Sequence, residues 1–492
     1  MEKYRYSCKT MARARVTPTS EERSFGIDEL FFSTTDAHGI IVSGNRVFTR
    51  VSAWSADELT GEPHSILRHP DMPRVVFKLL WDEIGAGRPV VAYVKNLAKN
   101  GAYYWVIASV VPFEGGYLSV RFKPSSALFP TVEGLYAQLL KVEKDVEDSG
   151  GSKAQAMAAS GAALGQALAS LGFATYQDFM HAFVPEELKS RDEGMARMGK
   201  AVAAVVVERP DEFGEIGRDI AAVRSFLHEE FSQLGDFISL GDTLVGKARF
   251  IQDLAKNVRL ISQNVSISAR RRELAGRPLA VVGDTIREQA DRVGEVTSSL
   301  TTRIHGLSAS LKAQAFRISL SRLQAQTASA FVAEIVDERE GANVADRHIG
   351  HVYESIGALA QCLSVDTRGL FDDYRVIARG LSQTTSEVMQ LGDLTRTLNM
   401  IRMTGRVEVS RLKDPIEFEV LFESIEKQLA EADGHLRELI SAINSIKTST
   451  TRGLGQEGMV RGRLERAADA VQRIKAAELA EPVTPPGGPA SE

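Results

Sequence analysis

Up to about residue 130 the chain is written in short apolar runs broken by turn residues; beyond that point, long stretches take over with helical spacing. Phe31–Thr35 is followed by Asp36-Ala37-His38-Gly39 and then by Ile40-Ile41-Val42. Val90–Val94, Tyr103–Val111 and Tyr117–Phe122 come later, separated by Lys99-Asn100-Gly101-Ala102 and Glu114-Gly115-Gly116. Asn-Gly and Gly-Gly between apolar runs predict hairpins, because these residues tolerate positive φ. Short helices are predicted over Asn45–Ser52, Ser55–Thr60 and Pro73–Ile84. Two strands, a helical crossing and three strands make an α+β domain of about 100 residues.

The later part changes period. Val293, Val296, Leu300, Ile304, Leu307, Leu311 and Ile318 follow alternating three- and four-residue steps, with Gln314 in one core slot. Phe422, Ile425, Leu429, Ala432, Leu436, Leu439, Ile443 and Ile446 do the same without a miss. A 3.5-residue period keeps an apolar seam on a partner helix, so these segments predict a coiled coil or four-helix bundle. One hairpin cannot cover its own seams, which predicts self-association through the coiled coil. Leu171–Phe183 is rich in aromatic residues at helical spacing and reads as core.

Composition adds exclusions. At 492 residues the chain exceeds one core, and its net charge of -5 gives no basic field for nucleic acid. Cys8 and Cys362 form no zinc, redox or haem-attachment spacing and suit a reducing compartment. No run approaches the ~20 apolar residues of a membrane span, and no h-region follows the basic N-terminus, so a cytoplasmic location is expected. Walker A, GxSxG and HExxH patterns are missing from the sequence, and a binding and relay protein, not an enzyme, is expected.

The segment Glu62–Pro73, which contains Arg68-His69-Pro70-Asp71-Met72-Pro73, resembles the PAS domain of Aer-type aerotaxis receptors, together with Val94-Lys95-Asn96, Lys99-Asn100-Gly101 and Tyr104-Trp105. The resemblance covers about Phe31–Lys123. It implies a non-covalent FAD that reads redox state, with Asn45, Arg68, His69, Asp71 and Trp81 as flavin-associated positions. Residue chemistry is compatible: a flavin needs an apolar slot, polar contacts at its ring edge and a cation near its pyrophosphate. Trp54, Trp81 and Trp105 all fall here, Arg68 and His69 could meet phosphate, and Asn45 could bond the ring. A purely structural account also exists, in which Asp71 caps a helix ahead of Pro73, Arg68 pairs with an acid and the tryptophans fill core. Haem held by His64 or His69 is a further alternative, as is a ligand-free PAS dimerisation module.

Leu260–Arg287 resembles the hairpin tip of methyl-accepting chemotaxis proteins. Asn264, Ile267, Ala269, Arg271, Gly276, Arg277, Ala280, Val281, Val282, Asp284 and Arg287 coincide with the family pattern. Ser268 stands where the family has a glutamate, Arg272-Glu273-Leu274 replaces its turn and Pro278 replaces a glycine. In the family those positions belong to the contact surface for the chemotaxis histidine kinase and its coupling protein. A weaker second copy follows over Asn399–Arg411, with Glu408 restoring the glutamate and Arg411 the arginine, and Glu417–Ile425 echoing the return helix. The resemblance thus implies Asn264, Ile267, Arg271, Glu408 and Arg411 as partner-binding tip residues.

The domain order expected is a disordered arm 1–24, a PAS sensor 25–129, a helical connector 130–248 and a chemoreceptor-like hairpin 249–323. A second connector 324–384, a second hairpin-like unit 385–447 and a tail 448–492, disordered from about 481, complete it. The function expected is a soluble sensory transducer of redox or oxygen-linked state. The alternatives are a PAS-regulated helical adaptor acting on a non-chemotaxis partner and a haem-based gas sensor.

Overall fold

A computed structural model describes residues 16–199, 209–340 and 349–480. The chain forms two compact units. One takes the chain up to Ala222 together with Leu323–Ser364 and the residues from Leu464; the other takes Val223–Arg322 and Val365–Arg463.

The first unit is built on an antiparallel sheet in the order β2-β1-β5-β4-β3. Its strands are β1 (Phe31–Asp36), β2 (Ile41–Gly44), β3 (Val90–Leu97), β4 (Tyr103–Phe113) and β5 (Gly116–Phe122). All five coincide with the apolar runs that predicted them. Gly101 and Gly115 in the two hairpin turns take φ values of +91° and +100°, as the turn chemistry requires. Between β2 and β3 the chain makes α1 (Arg46–Ser52), α2 (Ala56–Leu59), a 3₁₀ turn (His64–Leu67) and α3 (Arg74–Gly85).

Both faces of this sheet are covered. On the inner face, Ser33 and Thr35 of β1 and Ser119 and Arg121 of β5 point toward the α1–α3 layer. On the outer face, Trp105 packs against Phe129 and Tyr136 of α4 (Phe129–Asp148), and Tyr93 against Phe183 of α6 (Tyr176–Arg197). Between them in sequence, α5 (Lys153–Ser170) sends Ser160 to Glu143 of α4. Residues read as a connector after position 130 therefore cover the sheet. The segments from Leu323 also reach it: Phe331 meets Phe32 of β1 edge-on at 4.7 Å, and Ser355 bonds Ser43 of β2 at 2.5 Å.

Residues 1–15 of the expected arm lie outside the described residues. The rest of that arm runs beside the start of β4, where the Thr19 N–H donates to the Gly101 carbonyl and the Tyr103 N–H to that of Glu21. The expected disordered end from 481 also lies outside the described residues.

Besides the start of the last helix, five helices build the second unit, some of them extending beyond it: α7 (Glu212–Ser232), α8 (Leu234–Arg270), α9 (Glu273–Glu340), α10 (Ile349–Val409) and α11 (Ile416–Gly455). A last helix, α12, spans Glu457–Ala480. Within this unit α8 and α9 form one hairpin through a two-residue turn, and α10 and α11 form another through residues 410–415. Cross-helix pairs run around a closed ring. Ser266 bonds Asp284 between α8 and α9, Arg303 pairs with Glu387 between α9 and α10, Arg402 with Glu426 between α10 and α11, and Asn257 with Gln428 between α11 and α8. Each is antiparallel, and the result is a four-helix bundle. Pairs of this kind, each with at least one partner open to solvent, add little stability, so the bundle stands on its apolar seam. All eight heptad residues from Phe422 to Ile446 are buried, as are Leu300, Ile304, Leu307, Leu311 and Ile318.

This arrangement corrects the reason given for self-association. The seams of the first hairpin are covered by the second hairpin of the same chain, and no second copy is needed to bury them.

Candidate ligand-binding site

The inner face of the sheet and the α3 layer enclose a cavity of about 270 Å³. Its walls are apolar, with Phe77, Leu80 and Ile84 on α3 facing Val94, Ala108 and Val110 on the strands. Trp81, 43% exposed, lies at the rim and meets Tyr117 edge-on at 5.8 Å. Gly39 makes this approach feasible: it holds φ +76°, and a Cβ there would stand 2.8 Å from the Trp81 ring.

Polar groups interrupt the wall at a few points, and three of them have no partner. The Asn96 Nδ2, Ser119 Oγ and Arg68 Nε atoms are buried without a hydrogen bond. Buried donors in native proteins are nearly always satisfied, so an orphaned group facing a cavity marks where a ligand atom belongs. Arg68 lays its guanidinium carbon 3.5 Å from the centre of the Phe77 ring. Burial, followed by Arg74 nearby, holds its guanidinium below the usual range.

A second cluster borders the same space. Arg121 of β5 donates from Nη1 to Ser33 Oγ at 3.0 Å and from Nη2 to His64 Nε2 at 2.5 Å. Because Nε2 accepts, the proton of a neutral His64 sits on Nδ1. Burial first, and the Arg121 charge second, push the imidazole well below its ordinary range, and burial pushes Arg121 down to about 10. His64 is therefore neutral and Arg121 cationic at pH 7.

A histidine whose folded value is depressed contributes stability that is complete above about 6.5 and is lost as pH falls toward the folded value. NMR titration of the His64 ring is expected to show no protonation between about pH 6 and 8. Stability should decline below about pH 6.5 by up to ~1.4 kcal/mol per pH unit from this group. A His64 midpoint at the ordinary value would break the assignment of its contact with Arg121.

The positions carried over from the resemblance divide into three groups. Arg68 and Trp81 line the cavity. His69 and Asp71 sit on the loop before α3 and clamp it to β3, with His69 Nδ1 accepting from the Asp71 N–H at 3.1 Å and Lys95 pairing with Asp71 at 2.9 Å. Asn45 braces β1 and α1: its side chain accepts from the Phe32 and Phe48 N–H groups and donates to the Leu30 carbonyl. The expectation that Asp71 caps α3 is corrected. The cap is Glu143 of α4, a buried carboxylate that accepts from the Arg74 and Val75 N–H groups at 2.9 and 3.0 Å.

Sequence reading named Asn96 only as part of a motif and missed Arg121 and Ser119. Polar residues at alternate positions of a strand commonly face solvent, yet both faces of this sheet are buried and Tyr117, Ser119 and Arg121 line the cavity. Among the described residues no group of three or more histidine, cysteine or acidic side chains is placed to hold a metal ion. Nor is any helix among them long and apolar enough to cross a membrane.

In the second unit the two hairpin turns lie side by side. Arg272 donates to the Asp414 carbonyl at 2.7 Å and sits 5.2 Å over the Phe418 ring, while Ser268 bonds Glu417 across the hairpins. Asn264, Ile267, Arg271 and Arg411 are exposed near these turns, and Glu408 is half-buried and paired with Arg411 at 2.8 Å.

These features agree with comparisons to known proteins. Residues 41–119 match the PAS fold family, and the sheet with its inner helical layer is a PAS domain. Over 126 residues the chain is 39% identical to the aerotaxis receptor of Escherichia coli K12, a match spanning 25% of this chain and 25% of that receptor. Among solved structures, the PAS domain of a protein from Colwellia psychrerythraea is 21% identical with a TM-score of 0.17, covering 19% of this chain and 85% of its own. The LOV domain of the blue-light photoreceptor Aureochrome1 is 27% identical with a TM-score of 0.18, covering 23% and 90%. Behind the PAS domain the chain continues in long paired helices.

Proposed function

We propose that this chain is a sensory transducer whose PAS cavity holds the ring system of FAD and whose helices relay its redox state. The observation that carries this reading is the convergence of three orphaned polar groups, on Arg68, Asn96 and Ser119, onto an apolar cavity. At about 270 Å³ it lies near the lower bound of ~300–1,000 Å³ for ligand pockets, which suits a planar ring and not a whole dinucleotide. Phe77, Leu80, Ile84, Val94 and Val110 would hold the ring faces, and Asn96, Ser119 and Arg121 its polar edge. Arg68 and Trp81 stand where the rest of the cofactor would leave. When bound, a flavin supplies reversible electron uptake with a change in charge and protonation.

The chain's own residues give a route outward. Strand β1 carries Ser33 on the cavity side and Phe32 on the other, against Phe331. Glu143 ties α4 to the start of α3, which is the opposite wall. A shift in either wall biases a helix packed on the module, and a bundle with two near-equal packings can pass that bias on.

We further propose that the protein works in the cytoplasm without catalysis of its own, and that the paired tips engage the chemotaxis kinase and its coupling protein. Haem has less support, because His64 Nε2 is occupied by Arg121 and His69 does not line the cavity. An absorption spectrum of the purified chain tests the reading: flavin bands are expected, lost in Asn96→Leu with the fold retained. A Soret band, or a colourless chain that takes up no added FAD, would sink it. Failure of the chemotaxis kinase and coupling protein to co-purify would favour an adaptor for another partner.

A further inference from the structure

The geometry points to Arg121 as a specificity-determining counter-charge, set by His64 and Ser33, that makes the cavity prefer a ring with a negative edge over the same ring uncharged. This rests on the flavin reading above and deepens it.

Arg121 is 2% exposed. Its hydrogen-bond partners are a hydroxyl, a neutral imidazole and, at 3.5 Å, the Ser119 carbonyl, none of which carries a charge. Phe48 and Phe31 lie 5.4 and 6.0 Å from its guanidinium carbon, and no carboxylate among the described residues pairs with it. A guanidinium taken out of water is costly unless an anion meets it, and neutral acceptors orient the charge without cancelling it. The side chain nevertheless lines the cavity, beside the orphaned Ser119 hydroxyl and Asn96 amide. All three are donors. A site with one uncompensated cation and two groups free to donate is best matched by an acceptor edge carrying negative charge. A heteroaromatic ring that gains negative charge on reduction has that edge in one redox state and a weaker one in the other. Greater charge would draw the guanidinium from Ser33 toward the cavity, and Ser33 lies on the strand whose far side holds Phe331.

The test uses the full-length chain and its R121M variant. Dissociation constants for FAD are measured in the oxidised state and, anaerobically, after chemical reduction. R121M should weaken the reduced state at least tenfold more than the oxidised one, which lowers the midpoint potential of the bound couple by about 30 mV per tenfold for two electrons. Without ligand, R121M should melt no lower than the parent, because it removes an unmet buried charge. Should R121M fail to accumulate, R121Q, neutral but polar, should show the same skewed ratio. Equal weakening of both states, or an unchanged ratio, overturns the counter-charge. So does a ligand-free R121M that melts well below the parent. A parent chain that takes up no flavin overturns the reading of the cavity itself and this inference with it, whereas a flavin-loaded parent with an indifferent R121M overturns this inference alone.

Discussion

Glu187→Ala is expected to destabilise the first unit by about 3–5 kcal/mol, a large share of a typical domain's stability. Glu187 is fully buried on α6. Its carboxylate accepts from the Tyr93 hydroxyl at 2.6 Å, the Ser125 and Ser126 N–H groups at 2.9 and 3.0 Å, and the Ser126 hydroxyl at 2.7 Å. Hydrogen bonds to a charged acceptor contribute roughly 1.5–3 kcal/mol each, and donors left unsatisfied cost about 1–3 kcal/mol each. Alanine strands at least three of them. Glu187→Gln should fall between, since it keeps one acceptor oxygen and turns an amide donor toward other donors. Urea denaturation of the parent and both variants checks this order. A loss under about 1 kcal/mol for the alanine variant would mean that water replaces the carboxylate freely. Ser125 and Ser126 are the exit from β5 into α4, so a weakened Glu187 also loosens the joint where the PAS domain hands the chain on.

Phe331→Ala is expected to cost a further class of stability, again about 3–5 kcal/mol, through loss of a buried ring and the cavity left behind. Phe331 is 5% exposed and its partner Phe32 is fully buried. In a double-mutant cycle with Phe32→Ala, a coupling of about 0.5–1.5 kcal/mol should remain after the single costs are removed. Hydrogen exchange should quicken in Leu323–Ile335 while β4 and β5 stay protected. Unchanged exchange in that segment would show that Phe331 is not its anchor.

How far these features could be read from the chain depends on whether the interaction is local. The strands and hairpin turns were legible because Asn100-Gly101 and Gly115-Gly116 carry their own backbone preference. The heptad seam was legible because periodicity is a local property, and the burial of Leu300, Ile304, Leu439 and Ile443 follows it. What covers a face is not local. Asp71 looked like the cap of α3, yet Glu143 from a distant helix performs it, freeing Asp71 to pair with Lys95. Polar alternation in a strand usually means water on one side, whereas Ser119 and Arg121 of β5 line a cavity. His69 and Asp71, prominent in sequence, brace a loop, while Asn96, named only as part of a motif, and Ser119 sit in strands and supply the unmet donors.

Two hairpins of unequal sequence close one ring of helices within a single polypeptide. In an assembly of identical chains each position is present twice, and a change on one side is copied to the other. Within this ring of helices no such copying applies, because each position occurs once. Ser268 and Glu408 lie just before the two turns and differ in charge, so each loop end can present its own chemistry to a partner.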